Sequence, residues 1–182
     1  MLMGSRFMMR GWWVACLLSV CRSLTVWAID EARPTVGVLV IAHGGAERWN
    51  AAVRKAVRQA EIDWPTEVAL GMGMHPQEVR TFQQAVDRLE RKGIRRLMVV
   101  PLLVSSHSEV FRQYEYLFGL RQKPEWPGAG APLSLEVPVV MGRALDDDPV
   151  VAEILLERAE ALSRTPEREV VVLVAHGPNA DE

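Results

Sequence analysis

Val36–Gly45 reads VGVLVIAHGG, and Val170–Pro178 reads VVVLVAHGP. Each is an unbroken apolar run, rich in Val, that ends in Ala-His-Gly. His43 and His176 therefore stand at the same point of two copies, 133 residues apart. A run that is apolar on both of its alternating faces reads as a strand covered on two sides, as in a parallel sheet flanked by helices. Open α/β sheets bind ligands beyond the carboxyl ends of their strands. The motif thus puts an imidazole at that edge, with Gly44 beside it where the chain turns or approaches a neighbour closely. The repetition predicts a duplicated architecture.

Outward from the first run, strand and helix patterns alternate. Glu47–Ile62 carries Trp49, Val53, Val57 and Ala60 at helical spacing, and Asp63-Trp64-Pro65 ends it, since the residue before Pro avoids the helical region. Thr66–Leu70 reads as a second strand and Gln77–Lys92 as an amphipathic helix closed by Gly93. Arg96–Val104 is a third strand and Ser106–Leu120 a third helix. Gln122–Pro132 is a Pro- and Gly-rich loop. Leu135–Met141 is a fourth strand. Asp146-Asp147-Asp148-Pro149 opens a helix to about Leu162, with an Asp cap and Pro in the first turn. Val170–Ala175 reads as a fifth strand. This order predicts right-handed βαβ crossovers and a three-layer α/β/α sandwich on a parallel sheet of about four strands. Residues 36–163 form one such lobe, and 170–182 open a second, truncated copy of it.

The first 28 residues are set apart. Arg6 and Arg10 precede the apolar run Gly11–Ala28, and Val26-Trp27-Ala28 offers a cleavage site, so residues 1–28 read as a secretory signal peptide. Export to the periplasm follows from that reading; an uncleaved anchor, or a start-site artefact on a cytoplasmic protein, are the alternatives. Without the leader the chain has 18 basic and 23 acidic residues, a net charge of −5. Such an acidic chain has no basic stripe for nucleic acid. Both cysteines, Cys16 and Cys21, lie in the leader, so a metal held by the remainder must rely on His, carboxylate or water.

The candidate chemistry lies at strand ends. His43, followed by Gly44 and Gly45, is placed to act as base or metal ligand near neutral pH. Ser105-Ser106-His107-Ser108-Glu109 follows the third strand and adds an imidazole and a carboxylate at the same edge. A plainer reading makes Ser106 or Ser108 a helix cap and Glu109 its acidic first turn. His75 precedes Pro76 and reads as a helix start. Met72 and Met74 suit an apolar wall for a flat ligand, although methionine is most often core filler. Arg48, Arg112 and Arg143 sit near strand ends and offer positive charge for a carboxylated ligand. No phosphate-binding loop, dinucleotide fingerprint, nucleophile elbow or H-E-x-x-H motif is present.

Read together, Val38–Gly45, Val99–Glu109 and the start at Asp146–Pro149 resemble the class II tetrapyrrole chelatases, and within them the sirohydrochlorin cobaltochelatase group of the CbiX/SirB type. The resemblance runs from about Val36 to the end of the chain. It implies ATP-independent insertion of a divalent metal, with cobalt first and nickel or iron as alternatives, into sirohydrochlorin or a related tetrapyrrole in cobalamin or sirohaem synthesis. The metal ion is then a substrate, and no organic cofactor is needed. The resemblance makes His43 and Glu109 the catalytic pair, and His43, Glu109 and His107 the metal-handling groups. Gly44, Gly45, Ser105, Ser106 and Met74 would contact the macrocycle. Glu109 falls where the family carries its second active-site His, and His107 where many members have Gly. A second lobe is implied too, from a homodimer or a further C-terminal half. The rival expectation is an exported metal- or tetrapyrrole-binding protein that keeps the fold without turnover.

Overall fold

Four parallel strands in the order β2-β1-β3-β4 form the sheet of the computed structural model. They are β1 (Gly37–Ala42), β2 (Thr66–Leu70), β3 (Leu97–Leu102) and β4 (Val139–Met141). Four α-helices follow them in turn: α1 (Glu47–Gln59), α2 (Pro76–Glu90), α3 (Glu109–Leu117) and α4 (Pro149–Leu162). The structure describes residues 35–175. The leader-like segment 1–28, with both cysteines, and His176 with the rest of 176–182 lie outside the described residues.

With every crossover right-handed, a step from β1 out to β2, followed by steps back to β3 and β4, puts α1 on one face and α2 and α3 on the other. The burial agrees. Leu39, Ile41, Leu97 and Val99 share a core with Phe82, Ala85, Val86 and Leu89 of α2 and Phe111, Tyr114 and Leu117 of α3. Each large apolar side chain fully buried there contributes roughly 1.5–3 kcal/mol. Phe82 and Tyr114 meet edge-to-face at the centre, their rings 5.9 Å apart. Val38, Val40 and Ala42 are also buried, on the opposite face. All six residues of β1 are buried, as the apolar run required.

The register decides where the loops emerge. Ala42 pairs with Leu70 on one side and Leu102 on the other. His43, Gly71 and Leu103 therefore leave the sheet side by side, at its carboxyl edge.

Three segments depart from the sequence expectation. The fourth strand holds only Val139–Met141 of the expected Leu135–Met141. The third helix starts at Glu109 instead of Ser106 because Ser108 caps it, its Oγ accepting the Phe111 N–H at 3.2 Å. The preceding serines are drawn into a loop of their own. Val170–Ala175 takes no strand at all: Val170–Val174 are 64–91% exposed. A strand needs a neighbour for its backbone groups, and among the described residues this run has none. The same shortage shows in α4. It begins as expected, with Asp148 accepting from the Val150 N–H at 3.0 Å and Pro149 in the first turn, yet it buries no residue. Ile154, Leu155 and Leu156 are 42–60% exposed.

Candidate functional site

His43 is the first residue beyond β1, and its side chain is exposed. Its Nδ1 lies 2.9 Å from the Gly44 carbonyl oxygen. A carbonyl can only accept, so Nδ1 carries the proton, and the neutral ring keeps its lone pair on Nε2. Gly44 has φ +79°, and a Cβ on it would lie 3.1 Å from the Gly71 nitrogen. Only glycine permits both the turn and this approach. Asn50 of α1 fixes the next residue twice: Gly45 N–H donates to Oδ1 at 3.0 Å, and Nδ2 donates to the Gly45 oxygen at 2.8 Å. The His43 loop is thus held between α1 and the loop after β2.

That second loop, Gly71–His75, is also pinned. Gly71 N–H donates to the Ala42 oxygen at 3.0 Å. The Glu78 carboxylate accepts from the Met74 N–H at 2.9 Å and the His75 N–H at 3.4 Å. His75 is the N-cap residue of α2, in keeping with its reading as a helix start. Met72 and Met74 are half-buried.

The third loop, after β3, is knitted by its own serines. The His107 N–H donates to Ser105 Oγ at 3.1 Å, and Ser108 Oγ donates to the Ser105 oxygen at 3.0 Å. Ser106 is tied across to the loop after β4: its N–H and Oγ donate to the two Asp146 carboxylate oxygens at 2.7 and 2.8 Å, and its Oγ accepts from the Ala144 N–H at 2.8 Å. These bonds hold the Asp146 carboxyl below its ordinary range, the Ser106 backbone N–H most strongly. His107 is exposed and its carbonyl accepts from Arg112 at 2.8 Å. Glu109 is the first residue of α3 and is half-buried.

His43, Gly44, Gly45, Met74, Ser105, Ser106, His107 and Glu109 accordingly stand on three adjacent loops at one sheet edge. The Ser106 hydroxyl is fully engaged within the protein. Among the described residues no three His, Cys, Asp or Glu side chains gather into a metal centre, so His43, His107 and Glu109 do not form a closed three-ligand site in one chain. Of the rim arginines, Arg112 grips Glu125 with two nitrogens at 3.1 and 3.0 Å. This bond is the chief reason the Glu125 carboxyl is lowered. Arg143 faces Asp146 and Asp147, and Arg48 is exposed at the start of α1.

A family model described as CbiX matches residues 37–162, most of the chain. The chain belongs to the CbiX family. Comparison with curated proteins gave no match. CbiX-family proteins are chelatases that act on tetrapyrroles, with a divalent metal as substrate. The matched span of this CbiX-family chain runs from β1 to the last residue of α4, so it contains all three edge loops.

Three site-supporting residues escaped the sequence reading. Asp146 looks like part of a helix cap but clamps two loops. Gln113 and Tyr114 look like ordinary residues of α3. Gln113 did leave a signal, since it stands three residues after Val110 and four before Leu117, on a stripe where helices carry apolar residues.

Proposed function

We propose that this CbiX-family chain inserts cobalt(II), or alternatively nickel or ferrous iron, into sirohydrochlorin or a close relative, without ATP. The observation that carries this reading is His43: an imidazole at the mouth of the sheet whose Nδ1 is held on the Gly44 carbonyl, which makes Nε2 the acceptor nitrogen of the neutral ring. Insertion exchanges two pyrrole N–H protons for one dication. Nε2 takes one proton, and the Glu109 carboxylate, or water beside it, takes the second. Imidazole and carboxylate are suitable donors for borderline ions of this kind. A closed three-ligand site would hold the ion too firmly for hand-over, so a pair of donors with water fits a metal in transit.

A single lobe offers half a cleft to a disc-shaped macrocycle. We assign the other half to a second lobe, supplied by a second copy of the chain or by further C-terminal sequence. The support is α4, apolar on several sides yet without a buried residue. The leader-like residues 1–28 support a periplasmic location, and detection of the mature chain in the periplasmic fraction tests it. The leader also keeps a second reading in play, an exported binding protein without turnover. Incubating the full chain with cobalt(II) and sirohydrochlorin separates the two. The chelatase gives the metallated absorption spectrum faster than the spontaneous reaction. Binding with no acceleration supports the second reading.

A further inference from the structure

Gln113 is fully buried, the one polar residue in that state among the described residues. Burying an amide costs free energy unless each of its groups is bonded, and here each group reaches a different loop. Nε2 donates to the Gly73 oxygen at 2.9 Å. Oε1 accepts from the Glu125 N–H at 2.9 Å and the Trp126 N–H at 3.3 Å. The next residue of α3, Tyr114, donates its hydroxyl to the Gly71 oxygen at 2.6 Å. Burial and the nearby Glu78 charge push this phenol above its ordinary range, so it remains a donor.

Two neighbouring side chains of α3 therefore hold two carbonyls of the Gly71–His75 loop. Gly73 has φ +74°, and a side chain on it would collide with Leu117 of α3, so the loop rests directly on the helix. Gly71 in turn lies close enough to Gly44, the neighbour of His43, that a Cβ on Gly44 would stand 3.1 Å from the Gly71 nitrogen. Through its acceptor, Gln113 also fastens the Pro- and Gly-rich loop at Glu125–Trp126, which Arg112 grips as well.

We infer that Gln113, with Tyr114 beside it, is a positioning residue for the macrocycle: it fixes the Met72–Met74 loop, which adjoins the His43 loop, and the Glu125–Trp126 loop, which adjoins Arg112, and so governs tetrapyrrole binding. This rests on the chelatase reading above. Gln113 acts through the loops and has no exposed atom with which to touch a substrate.

The test compares Gln113→Glu, Gln113→Met and Tyr114→Phe in the full chain, each checked for folding by circular dichroism. Sirohydrochlorin binding without metal is followed by absorption titration. At about pH 8, Gln113→Glu loses the donor to Gly73 and binds about tenfold more weakly. Acidification towards about pH 6 protonates the buried carboxyl, whose O–H again donates to Gly73, and much of the loss is recovered. Gln113→Met cannot regain a donor, so its loss stays flat with pH. Tyr114→Phe gives a smaller, pH-independent loss. In turnover, the apparent KM for sirohydrochlorin rises by a larger factor than kcat falls.

Wild-type affinity in Gln113→Glu at high pH overturns the inference, and so does a deficit with the same pH profile as that of Gln113→Met. If the wild-type chain itself fails to bind sirohydrochlorin, the chelatase reading falls and the assignment to tetrapyrrole falls with it. Amide hydrogen exchange across Gly73–His75 then reads the brace alone. Gln113→Glu must speed it relative to wild type at the same pH, and unchanged exchange removes the brace too.

Discussion

The Ser106 hydroxyl donates to one oxygen of Asp146 at 2.8 Å while the Ser106 N–H donates to the other at 2.7 Å. This two-point bond joins residues 40 positions apart and locks the loop after β3 to the loop after β4. Asp146 accepts a left-handed backbone, φ +45°, to make it. Asp146→Asn keeps the size but loses the charge and one acceptor, and Ser106→Ala removes the hydroxyl. Both are expected to lower Tm and to slow metal insertion, because the loop that carries His107 and leads to Glu109 is released. A thermal melt and an insertion assay on each variant check this; variants equal to wild type in both would show the clamp to be idle.

The same bond has a pH signature. The folded-state value of Asp146 lies below its ordinary value of 3.8. A carboxyl with a lowered folded value stabilises fully above the unfolded value and loses that contribution as pH falls through the folded one. The Tm gap between wild type and Asp146→Asn should therefore be constant near neutrality and close as pH drops below about 4. A gap that widens on acidification would contradict the assignment.

Phe82 stands at the centre of the core, fully buried against Tyr114. Phe82→Ala should cost about 3–5 kcal/mol. Chemical denaturation measures it, and a loss under about 1 kcal/mol would mean that the core collapses around the gap.

On α4, Leu156 is 60% exposed. If a second copy covers this helix, the protein sediments as a dimer, and Leu156→Glu shifts it towards monomer. A wild-type chain that stays monomeric at all accessible concentrations would remove the homodimer and leave further C-terminal sequence as the source of the second lobe.

Much of the fold is legible in the apolar runs. VGVLVIA reads as a strand covered on both faces, and its Gly37–Ala42 part is the central buried strand β1. The alternation that follows yields the parallel sheet. What the runs could not convey is dependence on neighbours. VVVLV is as apolar as β1 but has no sheet beside it among the described residues, so it is exposed chain. The placement of the candidate residues was legible as far as their loops: His43, Met74 and Ser105–Glu109 reach one edge because β1 lies between β2 and β3. The struts beneath were not. Gln113 reaches Gly73 across 40 residues and Asp146 reaches Ser106 across another 40. No local pattern records such a pairing, and only a polar residue on an apolar stripe hints at one.

His43 carries the central claim, and one comparison tests it most directly: the initial rate of cobalt(II) insertion into sirohydrochlorin by wild type and by His43→Ala, at equal concentration and matched Tm. His43 is exposed, so its removal should leave the fold intact. The expected result is a variant rate reduced at least about a hundredfold, the low end for loss of a positioned base, and approaching the spontaneous reaction. Full activity in His43→Ala would contradict the account.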